Sequence, residues 1–197
     1  MIGPLFGAVF AWPYRVVLAG LYRLGLRPWQ LTALSLAANA YVGWLLVAGR
    51  RLLPGLLLLV AGILDIFDGG LARQRGEATR AGAFLDSVVD RISDLILFGC
   101  LFWSLAGQHH RVAASLALAS LIVSLMVSHL RAEGEAVHLR LTEGFVQRLE
   151  RYVLLMIGLT APGALTPVLL VISALGGLTV VQRFASAWEQ LGRAQGE

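Results

Sequence analysis

Every Asp in this chain falls between positions 65 and 94, in a sequence otherwise dominated by Leu, Ala, Val and Gly. Asp65 and Asp68 are spaced i, i+3, and Asp86 and Asp90 i, i+4, so each pair falls on one helix face. Between the pairs stand Gly69, Ala72, Arg73 and Gly82, which add one fixed cation and little bulk. Two helix ends that each present two hard oxygen ligands, joined by a short loop, suit a divalent cation and a phosphate. All-oxygen ligation favours Mg²⁺ or Mn²⁺, and no His or Cys lies close enough in sequence to suggest Zn²⁺. An Asp at the centre of a membrane helix costs ~2.5–3.5 kcal/mol on insertion scales. Four of them converging without a purpose would strain a small bundle. The alternative is that they cap helices and pair with Arg73, Arg75, Arg80 and Arg91. That reading serves any single Asp better than the whole set.

The elements that must position these groups are helices in a bilayer. The 197 residues are 57% hydrophobic and only 14% charged, the composition of a polytopic membrane protein. The formal charge of +4 comes wholly from Arg, because there is no Lys. The cations are scattered between apolar runs rather than along one face, which argues for phosphate and membrane surface and against nucleic acid. The single Cys100 forms no intrachain disulfide. Six apolar stretches run approximately 31–49, 52–66, 83–106, 112–130, 152–165 and 167–181. Several are shorter than the ~20 residues that span the hydrocarbon core, so their helices should extend into polar flanks.

Ahead of them, Pro13 and Arg15 spoil a signal-peptide pattern. From Tyr14 on, Tyr14, Val17, Leu18 and Leu21 share one helical side, with Arg15, Ala19 and Arg23 on another. This predicts an amphipathic helix along the membrane surface, turned inward at the Leu26-Arg27-Pro28 corner. The expected organisation is therefore an interfacial N-terminal helix over 1–27, a six-span membrane unit over 28–184 and a cytoplasmic tail over 185–197. With six spans both termini share a side. That side carries twelve Arg: 15, 23, 27, 73, 75, 80, 131, 140, 148, 151, 183 and 193, against Arg50, Arg51 and Arg111 opposite. The positive-inside tendency then places the termini and the Asp-rich loop in the cytoplasm.

The run Asp65-x-x-Asp68-Gly69-x-x-Ala72-Arg73, then Gly82-x-x-x-Asp86-x-x-x-Asp90, resembles the complete signature of the CDP-alcohol phosphotransferases, with all eight fixed positions present. Pro28-Trp29-Gln30-Leu31-Thr32 is similar to the family's Pro-Asn-x-x-Thr start of the first span, with Trp29 replacing the usual Asn. The resemblance implies an all-α integral membrane protein, an interfacial helix followed by six spanning helices, assembled as a homodimer. It also implies a reaction: the hydroxyl of an acceptor alcohol attacks the lipid-bearing phosphate of CDP-diacylglycerol or CDP-archaeol, and CMP leaves. By that likeness two ions, Mg²⁺ or Mn²⁺, are bound by Asp65, Asp68 and Asp86. Asp90 is the general base and touches the second ion, while Gly69, Ala72, Arg73 and Gly82 shape the CDP pocket. The signature does not require Asp94, for which pairing with Arg91 or with an Arg of a neighbouring helix is expected.

For the acceptor, Arg131-Ala132-Glu133, Arg148-Leu149-Glu150-Arg151 and Gln182-Arg183 resemble elements of the prokaryotic inositol-phosphate-using branch. On that likeness Arg148 and Arg183 hold a phosphorylated acceptor, with Arg131 and His129 beside them. Planar guanidinium groups suit bidentate phosphate contact. For Arg131 and Arg151 an ion pair with Glu133 or Glu150 is the simpler expectation. His129 stands where that branch usually has a Lys, and Met126-Val127 replace a Ser-Tyr pair. Glycerol 3-phosphate is the nearest competing acceptor, although the chain has no Gly-Lys-x-Lys-Thr segment. Two other classes would also use intramembrane carboxylates. A prenyltransferase usually carries two well-separated acidic motifs, and a coupled transporter a duplicated half.

Overall fold

A computed structural model describes residues 3–77, 79–139, 141, 144 and 148–194. Among them the secondary structure is wholly helical: α1 Gly3–Arg23, α2 Pro28–Val47, α3 Leu52–Arg75, α4 Arg80–Gly107, α5 Arg111–Ala136, α6 Arg148–Thr160 and α7 Leu165–Ala194. Arg140 and the Phe145-Val146-Gln147 run lie outside the described residues. Four helices, α2, α3, α5 and α7 as far as Gly192, are long and apolar enough to cross a membrane. The two remaining helices of the bundle are limited by their sequences. α4 has Asp86, Asp90, Arg91 and Asp94 among its first fifteen residues, and α6 has 13 residues, about 20 Å at 1.5 Å per residue.

Helices α2 to α7 close into a ring in the order α2, α4, α5, α7, α6, α3, each packed on the next and α3 back on α2. Neither α3 and α4 nor α4 and α6 pack against each other among the described residues. The two carriers of the Asp signature thus flank α2 without packing on each other, and it is their side chains that meet. The main core lies at the far end of the ring from the signature loop. There Leu46, Leu58, Phe98, Leu101, Leu155 and Leu169 interlock, with the small Ala113, Ala114 and Ala117 of α5 allowing close approach. Gly55 and Gly43 serve the same end: a Cβ at either would lie 2.7 Å from Thr160 or Ile96.

Among the described residues α1 packs chiefly on α3. Tyr14 stacks on Phe67 at 5.1 Å, and Leu18 and Leu21 join a second apolar cluster with Leu31 and Leu71. Of the residues expected on its apolar side, Val17 is not among them and is 44% exposed. The helix itself begins at Gly3, well before Tyr14, and runs through Pro13, which forfeits one backbone hydrogen bond. Two other boundaries moved. α6 starts at Arg148 and stops at Thr160, because Pro162 and Gly163 (φ +75°) form a turn inside the expected apolar run. α7 continues to Ala194, beyond the expected limit of the membrane unit at 184.

Candidate active site

The signature loop is short because its ends are well capped. Gly76 takes the left-handed conformation (φ +67°) that terminates α3. Thr79 then opens α4 by accepting the Gly82 amide at 3.0 Å. α3 and α4 return from this turn side by side in sequence yet splayed in space. Ligand oxygens of Asp65, Asp68 and Asp86 all lie within 4.8 Å of one another. Asp68, 5% exposed, accepts the Thr32 hydroxyl of α2 at 2.7 Å. No cation pairs with Asp68 or Asp86 among the described residues, and Asp65 shares Arg148 with Asp90. Three crowded carboxylates with a fraction of one guanidinium between them are short of positive charge. An all-oxygen donor set of that kind fits a hard divalent ion. When bound, such an ion offsets charge on phosphate oxygens.

Asp90, the fourth expected ligand, stands outside this trio. One turn beyond Asp86 on α4, its carboxylate is drawn to Arg148, whose Nη1 also donates to Asp65 Oδ1 at 2.8 Å. The four carboxylates therefore divide into three and one.

Cavities lie against the trio and beside Asp90. A first, of about 240 Å³, is lined by Gly69, Ala72, Arg73 and Gly82 together with Asp68 and Asp86. The four residues expected to shape a CDP pocket thus line a single space. Trp29, Thr32, Glu77 and Thr79 also line it, and sequence reasoning had not assigned them to it. A Cβ on Gly69 would meet just the Arg73 guanidinium, at 3.5 Å, so its missing side chain is open room facing the cavity. A second cavity, of about 460 Å³, holds Asp90, Arg131, Arg148, Arg151 and Arg183. Asp86 and Asp90 both line a third space of about 290 Å³, which shares Asp86 with the first cavity and Asp90 with the second.

The expected acceptor residues are distributed unevenly. Arg148 and Arg183 are inside the second cavity, and Arg183 also donates to the Val127 carbonyl at 2.7 Å. Arg131 lines it from an exposed position and is tied to Glu135 at 2.9 Å, not to Glu133. His129 does not line it. Its side chain is 60% exposed, 3.9 Å from Glu133, because it stands on the outer side of α5. Arg151 does not pair with Glu150 but turns inward to Asp94 at 3.2 Å and to the Ser124 hydroxyl. That gives Asp94 the interhelical Arg partner expected for it. Arg91 instead binds Ser87 and the Ser128 carbonyl.

With this bundle and this paired-cavity site in view, the comparisons identify the class. The family model described as CDP-alcohol phosphatidyltransferase matches residues 26–187. The chain belongs to the CDP-alcohol phosphatidyltransferase family, a family of transferases. Among its relatives, the phosphatidylinositol phosphate synthase of Mycobacterium marinum is 32% identical over 195 residues, covering 94% of this chain and 83% of its own. The archaetidylinositol phosphate synthase of Methanothermobacter thermautotrophicus is 33% identical over 167 residues, covering 82% of each. The crystal structure of Mycobacterium tuberculosis phosphatidylinositol phosphate synthase with CDP-DAG bound matches with a TM-score of 0.80 at 31% identity, covering 89% of this chain and 93% of that one. The same enzyme has also been solved in complex with manganese and citrate, again at a TM-score of 0.80. Family membership removes the prenyltransferase and transporter alternatives.

Proposed function

We propose that this protein transfers the lipid phosphate of CDP-diacylglycerol or CDP-archaeol to a hydroxyl of inositol phosphate, releasing CMP in phospholipid synthesis. The observation that carries the reading is the position of the carboxylates. Asp68 and Asp86 line the space bounded by the CDP-signature residues, while Asp90 lines the space bounded by Arg148 and Arg183. In the reaction the acceptor hydroxyl oxygen forms a bond to the lipid-bearing phosphorus. The bond from that phosphorus to the bridging oxygen breaks, and CMP leaves with the oxygen. Asp90, on the acceptor side, takes the hydroxyl proton. Arg148 and Arg183 hold the acceptor's phosphate, and Gly69, Ala72, Arg73 and Gly82 hold the CDP end. Asp65, Asp68 and Asp86 would hold Mg²⁺ or Mn²⁺, which when bound would offset charge at the reacting phosphate.

The same reading takes α2 to α7 as six spans around a site that opens to the cytoplasm, with α1 along the membrane surface and two chains forming a homodimer. The excess of Arg on the signature side supports that orientation.

Glycerol 3-phosphate remains the second candidate acceptor on one observation: His129, at the position of the branch's Lys, is exposed and outside the acceptor cavity. The test is an acceptor screen on purified protein in lipid nanodiscs. CDP-diacylglycerol and CDP-archaeol are each offered with inositol phosphate, glycerol 3-phosphate, inositol and serine, and products are resolved by mass spectrometry. The expected product is the phosphorylated inositol lipid with equimolar CMP, abolished by EDTA and restored by Mg²⁺ or Mn²⁺. A glycerophosphate product alone moves the assignment to the second acceptor, and turnover undiminished by EDTA overturns the metal role.

A further inference from the structure

Arg148 is gripped from two directions. Its Nη1 faces the carboxylates of Asp65 and Asp90, while Nη2 donates to the Tyr152 hydroxyl at 3.3 Å, one turn along α6. The guanidinium carbon lies 5.3 Å from the centre of the Tyr152 ring. Tyr152 in turn donates its single hydroxyl proton to Asn39 Oδ1 of α2 at 3.1 Å, and Asn39 Nδ2 is committed to the Ser35 carbonyl at 3.0 Å. The chain of bonds is therefore directional. With its proton given to Asn39, the Tyr152 oxygen presents a lone pair to Arg148.

Tyr152 is 2% exposed and Asn39 is fully buried. Neither belongs to the Asp signature, and neither lines the three cavities around the carboxylates. A buried Asn on an apolar helix and a buried phenol are costly unless satisfied. Here they satisfy each other, and the one group they present beyond themselves is an acceptor for Arg148. Without that acceptor, the described hydrogen-bond and ion-pair partners of the guanidinium would be two carboxylates, and its second edge would keep only the undirected contact with the Tyr152 ring.

We infer that Tyr152, braced by Asn39, is a positioning residue that orients Arg148 and so sets how tightly the site grips the acceptor's phosphate. The inference rests on the proposed function, in which Arg148 binds that phosphate. Its test is the separate KM of each substrate for Tyr152→Phe, a change that keeps the ring and its packing and removes the hydroxyl alone. The acceptor KM is expected to rise about tenfold, the cost of one charge-assisted hydrogen bond, with the CDP-lipid KM unchanged. Arg148→Lys is expected to raise the acceptor KM by itself, and adding Tyr152→Phe to it to have no further effect, as for residues that act as a unit. Asn39→Leu is expected to reproduce the Tyr152→Phe split in weaker form.

An acceptor KM unchanged in Tyr152→Phe overturns the inference. So does a rise in both KM values together, or a full additive effect on top of Arg148→Lys, since each describes a packing role. If the wild type uses glycerol 3-phosphate rather than inositol phosphate, the same comparison is made with that acceptor, and only the proposed acceptor fails. A wild type that accepts unphosphorylated alcohols alone overturns both.

Discussion

Arg151 of α6 and Asp94 of α4 meet across the inside of the helix ring, Nη2 to Oδ2 at 3.2 Å, with both side chains buried. Among the described residues their backbones do not approach each other, so this pair, with Asp90 and Arg148 nearer the loop, is a strut between opposite walls. Removing one partner of a buried ion pair leaves the other charge stranded, a loss of about 3–5 kcal/mol. Asp94→Asn should therefore lower the unfolding midpoint in detergent sharply. The double variant Asp94→Leu with Arg151→Met should recover most of it. A single variant as stable as the wild type would mean that the pair is solvated and contributes little.

Thr32 shapes the metal site without reaching the trio's centre. Its hydroxyl fixes the Asp68 carboxylate from α2 at 2.7 Å. Such outer contacts commonly cost 10- to 100-fold in metal affinity when lost, so Thr32→Val should weaken Mn²⁺ binding by about that range. Direct titration of the purified protein with Mn²⁺ reads this without any turnover. An affinity within twofold of the wild type refutes it.

Gly69 is open toward the first cavity, and a Cβ there would meet only the Arg73 guanidinium at 3.5 Å. Gly69→Leu should fold normally, since leaving Gly out of a helix interior gains about 0.8–1 kcal/mol. It should also fill part of the 240 Å³ that the proposed function assigns to the CDP group. The CDP-lipid KM should rise at least about tenfold, the loss of roughly 1.4 kcal/mol of binding, with the acceptor KM unchanged. Equal changes in both constants would disconnect that space from the nucleotide.

Gly55 and Gly99 make a matched pair for stability. A Cβ at Gly55 would lie 2.7 Å from Thr160 Cγ2 and 3.3 Å from the Met156 carbonyl, whereas nothing stands within 4 Å of one at Gly99. Overpacking of the first kind costs about 1–3 kcal/mol, more than the gain in helix propensity. Gly55→Ala should destabilise and Gly99→Ala should stabilise slightly, as read by thermal unfolding in the same detergent. The opposite order would place the α3–α6 contact elsewhere.

What the sequence revealed was local in character. Asp65, Asp68 and Asp86 are three or four residues from their partners or one capped turn away, so spacing alone brings them together. Gly69, Ala72, Arg73 and Gly82 were legible for the same reason. The start of α1 was not, because an apolar run containing Pro13 reads equally as two segments. Thr32, Asn39 and Tyr152 entered the site through hydrogen bonds that span from 36 to 113 residues of chain, and no periodicity encodes those partners. His129 and Arg131 were expected at the acceptor from their place in a run. Yet a helix turns such neighbours to different sides, and only Arg131 lines the cavity.

The strut between Asp94 and Arg151 also bears on how the protein is made. Asp94 sits fourteen residues into α4, roughly 21 Å from its start, deep in the bilayer if α4 spans it. As the chain emerges from the ribosome, α4 is synthesised before α5 and α6, so this carboxylate must wait for its guanidinium. In that case α4 should insert poorly on its own, and its stable placement in the membrane should depend on the arrival of α6. The short helix that carries Arg148 thus also carries the partner that Asp94 needs, and truncated chains ending before it should be degraded rather than retained.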